Sequence, residues 1–270
     1  MNADFVKLVD TEYEKIKNGE SCFYIGEGNP DADILIIGNE CARNDNGEDV
    51  AADNVQKWKE LLDQGYDVED IRRELQDYNN GRPDNKYYPL FPWFGQKCIV
   101  RTKVKNDKEP RGKEGTARTW VQYQKLIDWI YGKVFDRNNF IDFHLNAFHT
   151  ELSQIPMMSS GDNDQKDETA DSIQKRLDGL FNNNPFFQKF PVVIIAAGHY
   201  VKDYGIDIIG TFDVVYKGNK GESGWINLHK SSDSRRLLLH TKHFAAAISN
   251  DYIKEIAEFA SPYIERPNKR

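Results

Sequence analysis

The sequence predicts an α/β protein of three layers, with helices on both faces of a mainly parallel central sheet of about four strands. Two observations carry this expectation. Four short apolar runs, DADILIIG (31–38), FIDFHLNAF (140–148), PVVIIAAG (191–198) and RRLLLH (235–240), have the length and branched content of buried strands. Segments of helical period separate them, an alternation that builds parallel sheets covered on both sides.

Taken in order, residues 3–17 form an amphipathic helix ahead of the first strand. A polar loop, NECARNDNGED, then leads to helical patterns at 51–64 and 68–77. The stretch 78–96, YNNGRPDNKYYPLFPWFGQ, is rich in Gly, Pro, Asn and aromatics and reads as irregular. A helix over 116–132, capped by Thr116 or Thr119, carries Val121, Leu126, Ile127, Trp129 and Ile130 at helical spacing. The strand at 140–148 follows, then a long polar loop and a helix near 168–182. Beyond the 191–198 strand, TFDVVYKG and SGWINLH parted by GNKGE read as a hairpin. The chain closes with the 235–240 strand and an amphipathic helix over 243–260, whose stripe of Phe244, Ile248, Tyr252, Ile256 and Phe259 reads as core. No internal repeat appears. The expectation is a single domain over 1–270 with loop insertions near 78–118 and 205–234.

The net charge is −7, and 39% of residues are hydrophobic, enough apolar content for a folded core. No segment approaches the roughly 18 apolar residues that span a bilayer, so no membrane partner is expected. Cys22, Cys41 and Cys98 are scattered without C-x-x-C spacing. They predict neither a zinc site nor disulfides, and fit a reducing, cytoplasmic compartment. Residues 97–118 hold eight Lys/Arg against three acids, either a solvated loop or a phosphate-facing one.

In a parallel α/β sheet, ligands sit beyond the carboxyl ends of the strands. The sequence puts Asn39 and Glu40, Asn146 and His149, His199, and His240 at those ends. His144 and His149 read as packing or surface residues. A metal site from His199, His240 and Glu40 has suitable ligand types but no supporting spacing, so neither metal nor cofactor is expected.

These pieces resemble the uracil-DNA glycosylase superfamily. NPDADILIIGNECA (29–42) is similar to its first motif, in which N-P-D-A and a strand lead into G-E-A-P-G, G-Q-D-P-Y or G-I-N-P-G. LNAFHTEL (145–152) looks like its L-N-A-x-L-T strand. VVIIAAGHYVKDYG is similar to the intervening strand, and RLLLHTKHFAAAIS (236–249) stands where the closing H-P-S motif and its helix would be. The resemblance spans residues 29 to about 260, in the superfamily's order.

The resemblance implies a divergent glycosylase that cleaves the N-glycosidic bond of a pyrimidine, uracil in DNA first. Glu40 matches the column of the water-activating Asp or Asn, and Asn39 that of the G-E-A-P-G glutamate. Asn146 matches the asparagine that reads the uracil edge, and His240 the histidine that stabilises the departing base. Phe91 or Trp93 would stack on the base. Arg101, Lys103, Lys105, Arg111 and Lys113 would track the DNA backbone. These residue types suit the chemistry: a carboxylate opposes positive charge on the sugar and orients water, while an imidazole N–H opposes negative charge on the base. An Asn amide offers a donor and an acceptor to a base edge. Departures stand beside these matches. Thr241-Lys242 follows His240 in place of Pro-Ser, and Cys41-Ala42 replaces Pro-Gly. A binding or regulatory protein that keeps the fold without the chemistry, or a hydrolase of a nucleoside or other small molecule, are the alternatives.

Overall fold

A computed structural model describes residues 1–42, 49–70, 89–92, 96–102, 114–157, 166–182 and 184–264. Helix α1 (Ala3–Lys17) spans the predicted residues. Asn2 caps it by accepting from Phe5 N at 3.0 Å, and Phe5, Leu8, Val9 and Glu12 make its buried stripe. Strand β1 (Glu27–Gly28) and strand β2 (Ile34–Ala42) follow, then α2 (Val50–Asp63), capped by Asp49. A small pair, β3 (Lys97–Val100) and β4 (Gly115–Thr116), precedes α3 (Arg118–Ile130). Next come β5 (Phe148–Met157), α4 (Lys166–Arg176) with a π turn at Leu177–Phe181, and α5 (Pro185–Gln188). Then β6 (Val192–Ile195), α6 (Tyr200–Asp203), α7 (Ile208–Phe212), β7 (Val215–Asn219), β8 (Asn227–Lys230), β9 (Leu237–His240) and α8 (Asn250–Ala260) complete the order.

One sheet of seven strands, ordered β1-β5-β2-β6-β9-β8-β7, replaces the expected sheet of about four. Its centre, β5-β2-β6-β9, is parallel throughout; β2, β6 and β9 come from segments read as strands, whereas β5 lies almost wholly beyond the expected 140–148. Antiparallel β1 flanks one side and the β7–β8 hairpin the other, so the 205–234 segment extends the sheet rather than interrupting it. Two residues of β1 gave no periodic signal to read.

Alternation along the central strands divides two cores. Leu35, Ile37, Val193, Ile195 and Leu238 pack with α1, α2, α5 and the π turn. Ile34, Ile36, Val192, Ile194, Leu237 and Leu239 pack with α3 and α8. Helices thus cover both faces, and each fully buried Ile or Leu contributes about 1.5–3 kcal/mol. A charge at Ile36, 0% exposed, would break the second core.

The expected strand at 140–148 is displaced. FHL (143–145) is a 3-10 turn, and β5 begins at Phe148. The apolar run packs as a turn because Phe143 and Ile141 fill the α3–α8 core, while Phe148 and Leu152 face the other. The last helix is shorter than 243–260. Ser249 caps it by accepting from Tyr252 N at 3.1 Å, and residues 243–249 form a loop that buries Phe244 completely. Likewise α3 starts at Arg118 behind Ala117, without a side-chain cap from either threonine.

Close backbone approach fixes the β1–β5 edge. Gly26 has φ +130°, and a Cβ there would collide with the carbonyl of His149. Asn54, 1% exposed, accepts from Ile25 N and Gly26 N and donates to Gly26 O, and Trp58 Nε1 donates to the same carbonyl. Helix α2 therefore holds this edge through buried, satisfied polar groups.

Candidate active site at the carboxyl ends of the central strands

Beyond Ile37, β2 continues as Gly38, Asn39, Glu40 and Cys41, with β5 beside it in parallel. The register sets Gly38 opposite Glu151 and Glu40 opposite Ser153. Side chains of β5 alternate. Phe148 and Leu152 join the α1–α2 core, and Thr150 accepts from Arg176 on that same side. His149 and Glu151 take the opposite face, where the His149 ring meets Trp120 at 5.0 Å and Tyr123 at 5.5 Å, both from α3.

Glu151 is the centre of the arrangement. Its Oε1 lies 3.2 Å from His149 Nε2 without a hydrogen bond between them, and its Oε2 is buried without a partner among the described residues. The carboxyl group occupies the space above Gly38, where any Cβ would collide with it. From behind, Arg176 fixes the strand. This arginine is fully buried and donates to Glu151 O at 3.1 and 2.9 Å, Tyr24 O at 2.7 Å, Thr150 Oγ1 at 3.1 Å and Gln154 Oε1 at 3.2 Å.

Glu40, half-buried on the neighbouring strand, is the second carboxyl. Burial pushes it up to about 7; the negative charge of Glu151 adds to this, and a hydrogen bond from the Tyr200 hydroxyl opposes it. Asn39 is 5% exposed, and its Oδ1 has no partner among the described residues. His243, in the loop after β9, is lowered by burial, with Glu151 pulling the other way. Gly198, at φ +59°, lets the β6 loop pass His243, whose backbone N would stand 3.3 Å from an added Cβ.

His240 stands at the end of β9 with both ring nitrogens engaged. Nε2 lies 2.7 Å from Gly198 O, which can only accept, so Nε2 carries the proton. Nδ1 then accepts from Asn227 Nδ2 at 3.4 Å, and the ring packs edge-on to Trp225 at 4.9 Å. This is a bonded strand-end histidine that ties the β6 and β9 loops together.

The other expected residues are spread out. Asn146 comes two residues before Phe148, which pairs with Leu35, and so lies at the strands' entry. Five residues of β5 lead from Phe148 to Ser153, which lies opposite Glu40, roughly 17 Å at strand rise, and Asn146 precedes them. Asn146 and Glu40 therefore occupy opposite ends of the sheet. The reason is the 3-10 turn, which delays the strand. At the entry edge two motif pieces do meet: Asn29 of N-P-D-A donates through Nδ2 to Leu145 O at 2.9 Å, and its backbone N bonds His144 O and Ala147 O. Phe91 is 2% exposed and packed in the α1–α2 core, so burial removes it as a stacking platform. Arg101 is exposed, its backbone N bonded to Thr116 O. Trp93, Lys103, Lys105, Arg111 and Lys113 lie outside the described residues.

Sequence reading missed Glu151, Arg176, Tyr200 and His243 as members of the site. One signal was there: HTELS alternates polar side chains at 149, 151 and 153 within a strand covered by helices on both faces. Among the described residues, no group of three His, Cys, Asp or Glu is placed to hold a metal ion, and no helix is long and apolar enough to cross a membrane. No protein-family model matches the chain, and no curated protein matches its sequence.

Proposed function

We propose that this chain hydrolyses the N-glycosidic bond of a nucleobase, in DNA first, at the carboxyl ends of its central strands. The observation that carries this reading is the nearness of Glu40 and Glu151, two residues apart in register on adjacent strands, where the charge of Glu151 acts on Glu40 in a largely buried setting. Two carboxyl groups in unlike environments are the working parts of glycoside hydrolysis. Glu40, poised near 7 and oriented by Tyr200, takes the proton from the attacking water. Once ionised, it also opposes the positive charge that grows on the sugar. His243, neutral because it is buried, supplies a ring N–H towards the departing base. His240 acts through the loops it joins and is a positioning residue.

The order of the sequence motifs supports a nucleobase over other glycosides. Exposed Arg101 supports a phosphate-bearing substrate. The departures favour a second reading, a protein of the same fold that binds such a ligand without cleaving it. Thr241-Lys242 follows His240 where a rigid Pro-Ser would grip a phosphate, and the net charge is −7.

The test is incubation with single- and double-stranded oligonucleotides carrying uracil, cytosine or a mismatch, and with the free nucleosides. Alkali cleavage and chromatography of the released base are the readouts. Release by the parent chain, cut at least about 100-fold in Glu40→Gln, is expected. No release from any substrate leaves the binding protein as the remaining reading.

A further inference from the structure

We infer that Glu151 reads the edge of the departing base, and that this edge presents an amino group, as cytosine does, rather than the carbonyl of uracil. The inference rests on the reaction proposed above and adds its substrate class.

Three observations support it. The first is position: Glu151 lies level with Gly38, and the absent side chain of that glycine leaves the space its carboxyl fills. The second is an open valence. An ionised carboxylate only accepts hydrogen bonds, through about four lone-pair sites. Oε1 lies 3.2 Å from His149 Nε2 without a hydrogen bond between them, and buried Oε2 has no donor among the described residues. Arg176, at the end of α4, spends its bonds on the carbonyl of Glu151 and on other acceptors, none of them that carboxylate. A buried acceptor left unpaired is costly, so the complementary ligand group is an N–H donor.

The third is the wall around it. Trp120 and Tyr123 pack about the His149 ring, and Glu40, Cys41, Tyr123, Arg176 and His243 are the titratable groups that act electrostatically with Glu151. None of these gives the carboxylate the donor-plus-acceptor character of an amide. At the 4-position the carbonyl of uracil would set oxygen against oxygen, leaving N3–H as the one donor on that edge. An amino edge makes the pairing by which Glu selects cytosine through N4, a discrimination of about tenfold or more.

The experiment measures binding of free cytosine and free uracil to the full chain by calorimetry, beside Glu151→Gln and Glu151→Asp. Cytosine should bind at least about tenfold more tightly than uracil. The glutamine variant, which restores a donor, should erase or reverse that preference, and the aspartate variant should keep its direction. Equal affinities in the parent, absence of binding by either base, or an unchanged ratio in Glu151→Gln would overturn the inference. In that last case Oε2 serves the fold alone. The base-release assay separates the two claims. Release with a preference indifferent to Glu151→Gln keeps the hydrolase and removes this role for Glu151. A reversed binding preference without any release keeps the role and removes the hydrolysis.

Discussion

A Cβ atom on Gly38 would collide with Oε2 of Glu151, its partner in register on the adjacent strand. The sheet thus gives up one side chain so that a carboxyl group can lie across its surface. For a purely structural strand pair, an apolar residue at each position would be more stable, because a buried carboxylate carries a desolvation cost. Gly38→Ala should therefore cost only about 1 kcal/mol of stability in urea denaturation, since Glu151 is the flexible partner that moves. That cost should largely vanish in the Glu151→Ala background, a non-additivity expected of residues in contact. Equal costs in both backgrounds would mean that the clash is relieved elsewhere.

Arg176 anchors the strand that carries Glu151. It is fully buried, and burial lowers its pKa to about 10. Arg176→Met removes donors from Tyr24 O, Glu151 O and Thr150 Oγ1 at once. Several acceptors lose their partner in a dry setting, so a loss of about 3 kcal/mol or more is expected in denaturant titration. Arg176→Lys should not recover it, because an ammonium group cannot reproduce the planar fork. A loss below about 1 kcal/mol would show that water replaces the guanidinium without penalty.

The pH dependence follows from Glu40. In the fold its carboxyl is pushed up from 4.5 to about 7, mainly by burial. Between those values the folded chain binds more protons than the unfolded one, so stability is greatest below about 4.5 and falls as pH rises to about 7. Unfolding titrations at pH 5 and pH 8 should show that this decline is smaller in Glu40→Gln. Turnover runs the other way: a general base works ionised, so the rate should climb through about pH 7. A rate profile flat from pH 5 to pH 8 would remove Glu40 from that role.

His240 bridges two loops, so its loss should show in stability. His240→Ala frees Gly198 O and Asn227 Nδ2 and should cost about 1–3 kcal/mol. His240→Gln, which keeps a donor and an acceptor, should restore part of it. Thermal unfolding compares the two. An alanine variant as stable as the parent would mean that these bonds add nothing to folding.

The fold was legible where a period was long and its surroundings uniform. ILIIG, VVII and LLLH are apolar at every position because both faces of those strands are covered, and α1 shows a full amphipathic stripe. The FIDFHL run misled because periodicity cannot tell a buried turn from a strand. Phe143 packs against Trp120 and Tyr123 from a 3-10 turn as well as it would from a strand. The β7–β8 hairpin was legible from its turn residues, whereas β1 escaped notice because it is only two residues long.

The sequence by itself determined the layers, three of the four central strands and the placing of Glu40 just beyond Gly38, since these follow from local hydrophobic pattern and chain order. Only the tertiary structure decided the partners. Which residue of one strand lies level with Gly38 depends on register, and a shift of a few residues moved Asn146 to the far end and brought in Glu151. Register is set by how Phe148 and Leu152 fill one core while Phe143 and Ile141 fill the other. That competition between distant packing surfaces leaves no mark in any short window of sequence.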